Sequence, residues 1–301
     1  MRKRSAALAL GPRPLYPVKA AATRARSLLW LLTTRGQIDP GGLRILFYHR
    51  VSADDDELAV TPQRFREQMD LLAKSGFEVV DVVEAASRLY ASGPAPPRRL
   101  IGLSFDDGYL DVAEEALPVL ERCGFRATVF VATGLIEGTA PLAWYKHPPP
   151  LLRWAEIVDL DRLGTLRFEA HSVTHRNLVQ LDDDEARWEI LESKRTLADR
   201  LGRRIEVFCY PGGVSGEREE AFAREAGYAY AVSCEPGVNH PRTDPFALRR
   251  RQIDARDTLL DFRAKLGGGH DSGLPGRTLY RSLRYGAPPP KRASSLAYRS
   301  R

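Results

Sequence analysis

The sequence predicts an α/β fold built on a parallel sheet closed, or nearly closed, into a barrel. Two observations carry that prediction. Short apolar runs alternate with amphipathic, helix-period segments, the order expected of βα units on a parallel sheet. Three of the apolar runs also end abruptly, at Asp106-Asp107-Gly108, at His171 and at Pro211-Gly212-Gly213, and barrel enzymes place their chemistry at strand C-terminal ends. The length of 301 residues suits one large domain with tails, and 43% hydrophobic residues are enough for a core.

Each element has a local reason. Residues 43–48 read as a buried strand. Thr61-Pro62 opens a helix to residue 74, with Phe65, Met69 and Leu72 on one face. A short strand at 77–80 and a helix at 82–90 follow, then a loop at 93–97. The run 100–105 is the strand that delivers the acid pair. A helix at 110–122 stops near Gly124, and 127–132 is the next strand. Residues 134–150 are irregular. Trp144, Tyr145 and His147 there would stack on a sugar ring or belong to a proline-stiffened surface loop. A helix at 154–160, a strand at 166–170 and a long helix at 182–201 come next. Its leading acids sit where the helix dipole favours negative charge, as caps rather than ligands. A strand at 205–210, a helix at 217–226 and a strand at 228–233 complete the alternation.

Three segments carry chemistry. At the end of strand 100–105, Asp106 and Asp107 can reach one cavity. Two carboxylates that close repel, so one is expected to bind a cation and the other to act as a base; a solvated Asp-Gly turn is the bland alternative. His171 and His175 are four apart, a spacing that sets two imidazoles on one face of a helical turn; two solvent-facing His at a helix start would look the same. One Asp and two His leave a coordination position open, as in hydrolytic zinc sites. The segment 207–213 is a strand broken by Pro211 and two Gly, either an ordinary turn or a groove wall whose backbone N–H points at a ligand.

In order, these segments resemble the polysaccharide deacetylases, the NodB-homology domain of carbohydrate esterase family 4. Ser104 to Gly108 matches the family's (T/S)FDDG, and His171 to His175 matches its H(S/T)xxH. Cys209 to Gly213 matches its third motif, RxPxG or AYPxG, only in part. Tyr48-His49-Arg50-Val51 is similar to the YHRV opening of one branch. The resemblance spans roughly residues 43–265. It implies a distorted (β/α)7 barrel, and a division into a basic lead with a short amphipathic helix (1–40), a catalytic domain (41–266) and a basic tail expected to be flexible (267–301).

The resemblance also implies roles: metal-dependent hydrolysis of an N-acetyl group on an amino-sugar polysaccharide or glycolipid. Asp107, His171 and His175 would hold a divalent ion, zinc, cobalt or nickel. Asp106 would be the base, and the Tyr210 N–H, beside Pro211 and Gly212, would hold the oxyanion. His49 would protonate the leaving amine, or be a core His bonded to backbone. The family's third-motif Arg is replaced by Cys209, and Arg249 or Arg250 is the expected substitute. Two other readings stand beside this one: a non-catalytic glycan-binding relative, and an ester or other C–N hydrolase at the same metal.

Charge is uneven. Residues 1–40 and 276–301 each carry a net +7 while the chain as a whole is +6, so the centre is acidic. Basic ends suit contact with an anionic surface such as a membrane, or are two solvated tails; nothing suggests nucleic acid. Cys123, Cys209 and Cys234 form no disulfide pattern. The apolar run 27–32 is too short for a secretory core or a membrane span, so a cytoplasmic or peripheral membrane location is expected rather than secretion.

Overall fold

Parallel strands with helical crossovers dominate the computed structural model, which describes residues 8–9, 16–38, 41–91, 93 and 99–271. Of the lead before residue 16 only Leu8–Ala9, a short strand, is described, and the tail from 272 lies outside the described residues. After helix α1 (Tyr16–Thr34) come β1 (Arg44–Tyr48), α2 (Pro62–Lys74), β2 (Glu78–Val80), α3 (Val82–Ala91) and β3 (Leu100–Asp106). Then follow α4 (Leu117–Cys123), β4 (Ala127–Val131), α5 (Trp154–Leu163), β5 (Leu166–Ala170) and α6 (Asp183–Leu201). The chain continues through β6 (Val207–Cys209), α7 (Glu217–Glu225), β7 (Tyr230–Val232), β8 (Arg251–Gln252) and α8 (Leu259–Leu266).

The main sheet runs β7-β6-β5-β4-β3-β1-β8, with β2 also on β3, and every pairing in it is parallel. Leu248 bridges Val232 on β7, while Arg251 and Gln252 pair with Leu46 and Phe47 on β1. Residues 248–252 therefore touch both edges of the sheet and draw it into a barrel. This closing segment and α8 were not among the expected elements, because two paired residues give no period to read.

Strand alternation assigns the two faces. Leu46, Ile101, Leu103, Phe105, Val129, Phe168 and Phe208 pack outward under the helices as one large core. Phe47, Ser104, Asp106, Phe130, Cys209 and Arg250 meet on the inner face. Local chemistry matches the elements it caps. Thr61 accepts the N–H of Arg64 at the start of α2, and Asp182 accepts that of Glu185 at the start of α6. The expected helix at 110–122 is a π-turn at Val112–Ala116 running into α4.

The N-terminal helix is longer than the short one expected, at 19 residues. Residues 267–271, placed in the tail by the sequence, pack on it instead: Trp30 donates its indole N–H to the Gly267 carbonyl at 3.1 Å. Among the described residues, no helix is long and apolar enough to cross a membrane.

Candidate metal centre

β3 carries its acids into the barrel mouth through a strained corner. Asp107 sits at φ 73° and Gly108 at φ 72°, both left-handed. A Cβ on Gly108 would stand 2.7 Å from the Val131 side chain, so only glycine fits there. Asp106, still on the strand, points inward. Asp107, one residue into the turn, is carried towards the His pair. Both are 2% exposed.

The His pair is not on a helix. Residues 171–175 form a tight loop after β5, with Ser172 at φ 66° and His175 at φ 59°. The helical-turn expectation fails because Glu189 on α6 takes the backbone instead. Its carboxylate accepts the N–H groups of Val173 and Thr174 at 2.8 and 2.9 Å, and the Thr174 hydroxyl as well. The loop nevertheless brings the imidazoles together, with Nε2 atoms 3.1 Å apart. Asp107 Oδ1 lies 3.6 Å from His171 Nε2 and 3.4 Å from His175 Nε2.

These three atoms fit a metal ion. Asp107 Oδ1 is buried without a hydrogen-bond partner. His171 Nδ1 is 2.8 Å from the Cys209 carbonyl; a proton there leaves the Nε2 lone pair facing Asp107. Burial first, then its neighbour, lowers the His171 pKa to about 4; His175 is also lowered to about 4, mainly by burial. Both rings are thus neutral at pH 7, the form a metal ligand needs. Ligand atoms about 2.0–2.2 Å from a tetrahedral zinc stand roughly 3.3–3.5 Å apart, close to the spacings seen.

Asp106 meets a cation supplied by the protein. Burial by itself would raise its pKa, but the Arg250 guanidinium holds it below the usual carboxylate range. The pair is bidentate: Nη1 to Oδ1 at 2.6 Å and Nη2 to Oδ2 at 2.9 Å. Arg250 also donates to Ser104 Oγ at 3.2 Å, the Ser233 carbonyl at 3.0 Å and Cys209 Sγ at 2.9 Å. Its guanidinium lies 4.3 Å from the centre of the Phe47 ring. Of the two arginines expected to replace the third-motif cation, only Arg250 reaches Asp106. Arg249, one residue earlier on an extended segment, faces the other way and lines an outer cleft with Glu235, His240 and Asp244.

His49 follows Phe47 by two on the inward side of β1, and its field acts on Asp106, Asp107 and His175. Its Nδ1 is buried with no hydrogen-bond partner, so it is not the backbone-bonded core histidine of the bland reading. Tyr210 departs from expectation. Its N–H donates to the Val232 carbonyl at 3.2 Å and its hydroxyl to the Phe246 carbonyl at 3.0 Å. The parallel ladder to β7 claims the amide meant for an oxyanion. Pro211, which follows, is buried and has no N–H; Gly212 turns the chain at φ 64°.

Several contacts around the His pair and Asp107 were not legible in the sequence, although Trp144 was a candidate to stack on sugar. Trp144 is half-buried, its ring centroid 4.6 Å from that of His175, and its indole donates to the Tyr109 hydroxyl at 3.1 Å. Tyr109 in turn hydrogen-bonds Asp107. Tyr145, expected to be an exposed sugar platform, is buried and bonded to Asp56; His147 is exposed. Residues 145–147, expected to be irregular, form a short strand paired with Leu8–Ala9, and the spacing of the aromatics gives no sign of which one turns inward.

Residues 93–231 match the polysaccharide deacetylase family profile. The matched segment contains the acid pair, the His pair and Cys209, but neither His49 nor Arg250. Among curated proteins, YxkH of Bacillus subtilis, provisionally named a polysaccharide deacetylase, is 27% identical over 74% of this chain and 74% of its own. The poly-β-1,6-N-acetyl-D-glucosamine N-deacetylase of Staphylococcus aureus is 20% identical over 71% and 75%. Two solved structures share the fold. Deacetylase PplD of Streptococcus pyogenes has a TM-score of 0.64 at 23% identity, over 75% of this chain and 99% of that one. IcaB of Ammonifex degensii has a TM-score of 0.65 at 22%, over 78% and 100%. On these matches residues 93–231 carry a polysaccharide deacetylase domain, and the chain is similar to hydrolases named for removing acetyl groups from carbohydrate.

Proposed function

We propose that this chain hydrolyses N-acetyl groups on an amino-sugar polymer at a zinc centre held by Asp107, His171 and His175. The observation that carries the proposal is the split between the two carboxylates. Asp106 is compensated by Arg250, whereas Asp107 faces two neutral imidazoles across a gap of ligand size. A binding-only site has no use for a second, separately ionised acid.

A bound divalent ion supplies Lewis-acid polarisation of the acetyl carbonyl and of a water. Asp106, kept ionised by Arg250, takes the proton from the attacking water. Arg250 fixes both carboxylate oxygens, so the base keeps one orientation. His49 gives a proton to the leaving amine as the C–N bond breaks, and acetate departs. The Tyr210 N–H is spent on β7 and is not available to an oxyanion; a metal held by Asp107, His171 and His175 would supply that charge stabilisation. Trp144 covers one side of His175 and limits water on that side. The catalytic unit is residues 41–266. Likeness to the S. aureus enzyme favours a β-1,6-linked N-acetylglucosamine polymer as substrate.

The test is acetate release by the metal-reconstituted full chain from β-1,6- and β-1,4-linked N-acetylglucosamine oligomers, with and without a chelator. Release that the chelator abolishes and zinc restores is expected, with the β-1,6 series preferred. No acetate from any oligomer, with metal bound one to one, would overturn the hydrolase reading in favour of glycan binding.

A further inference from the structure

Helix α1 is amphipathic in the reverse sense for a helix packed on a barrel. Its inner stripe is largely polar. Ser27 is fully buried; its Oγ donates to Asp261 Oδ1 at 2.6 Å and lies 3.0 Å from His270 Nε2. Arg24 pairs with Asp261 at 2.9 Å. Trp30 is the large apolar group buried on this side. It fits because Gly267 and Gly269 leave room: a Cβ on either would fall 2.3 or 2.7 Å from the indole.

The outer stripe is apolar throughout. Val18, Leu28, Leu29 and Leu32 are 64%, 47%, 61% and 79% exposed. At 100° per residue they share one side with Ala21, Ala22 and Ala25, which are also exposed. Among the described residues nothing packs over this face. A contiguous apolar strip of this kind marks an interaction surface.

Charge selects the occupant. The helix holds Lys19, Arg24 and Arg26 and no acid, and Arg35 follows directly; Arg24 is paired with Asp261 on the inner side, and Arg26 and Arg35 flank the run 27–32 in sequence. A second copy would set the same cations against each other across a two-fold axis. The chain's own tail is no better, since residues 276–301 hold seven basic residues and no acid. An anionic lipid surface offers both the apolar layer and the opposite charge. We propose that α1 lies in the interface of an anionic membrane, with Val18, Leu28, Leu29 and Leu32 among the acyl chains. Its buried bonds to Asp261, His270 and Gly267 then fix the barrel to that surface. The expected basic ends add attraction, but the apolar face supplies the insertion.

The test is co-sedimentation of the full chain with phosphatidylcholine vesicles, with and without phosphatidylglycerol. Wild type is expected to pellet only with the anionic vesicles. Leu29→Ser/Leu32→Ser is expected to lower partitioning about tenfold or more while its circular dichroism is unchanged. A separate Leu32→Trp protein reports insertion directly, its emission shifting to the blue with anionic vesicles alone. Unchanged partitioning of the double variant, or no blue shift, overturns the proposal. So does equal pelleting with both vesicle types. A wild-type dimer in light scattering that the double variant dissolves, without vesicle binding, would assign the face to a second copy instead. None of these readouts uses acetate release, so failure here and failure of the hydrolase reading are distinct.

Discussion

Asp106 and Asp107 are adjacent in the chain, equally buried, and differently employed. Asp106 lies in a region whose cation is built in: Arg250 comes from the segment that closes the barrel and satisfies both carboxylate oxygens. Asp107 lies in a region whose cation is missing from the chain. Its Oδ1 has no hydrogen-bond partner, and burial pushes its pKa up. The comparison teaches that one residue of backbone rotation, made possible by Gly108, is enough to give two like groups opposite electrostatic surroundings. A base must be ionised before substrate arrives; a ligand becomes fully ionised when its metal does.

The sharpest break of this comparison is to neutralise each acid in turn. Asp106→Asn is expected to lower kcat by about 10²- to 10⁴-fold with metal content unchanged by elemental analysis. Asp107→Asn is expected to lose metal and rate together. Equal metal loss in both variants would dissolve the distinction.

Arg250 is the next test. Arg250→Ala leaves a buried carboxylate without its partner and should cost about 3–5 kcal/mol in urea unfolding. Arg250→Lys keeps the charge but not the fork, so it should recover part of the stability while the acid limb of the kcat profile moves up in pH. An Arg249→Ala protein should differ little from wild type in either measurement. If Arg249→Ala proved the damaging change, the assignment of the base's partner would be wrong.

A smaller effect separates the site from the α1 contact. Burial first, then Lys265, Arg251 and Arg26, lowers the His270 pKa to about 3, with Asp261 opposing. The unfolded chain takes up a proton near the ordinary histidine value, about 6.5, while the folded chain does not. The contribution to stability is therefore full above about pH 6.5 and is lost as pH falls from there towards 3. His270→Gln should flatten this part of the unfolding free energy against pH, relative to wild type. An unchanged slope between pH 6.5 and 5 would show that His270 is not held neutral by its packing on Ser27.

Much of the site was readable in one dimension because its parts are local. Asp106-Asp107-Gly108 announces a strand end, a turn and two acids within three residues. His171 and His175 are near enough in sequence that a helix or a loop brings them together. The expectation of a helical turn was wrong, yet the pairing survives. Arg250 was narrowed to two adjacent arginines and no further, because the choice depends on which face of an extended segment points into the barrel. Tyr210 was misread for a related reason. Its amide looks free in the sequence, but a parallel neighbour 22 residues on, Val232, accepts it. Trp144 and Glu189 act on the His loop from elements whose own sequence carries no sign of the contact.

The sequence by itself determined the alternation of strands and helices, the strand ends where acids and imidazoles emerge, and the family motifs they resemble. Those features follow from periodicity and turn chemistry over a few residues. Only the tertiary structure decided which cation neutralises Asp106, which amide is spent on the sheet, and which side of α1 meets the barrel. Each of these depends on residues distant in sequence coming into contact, and local propensity does not encode which partner a buried polar group will find. The inversion of α1 shows this most plainly. An apolar run flanked by arginines does not say which side of its helix meets the barrel; Asp261, His270 and the Gly267 carbonyl claim the polar side.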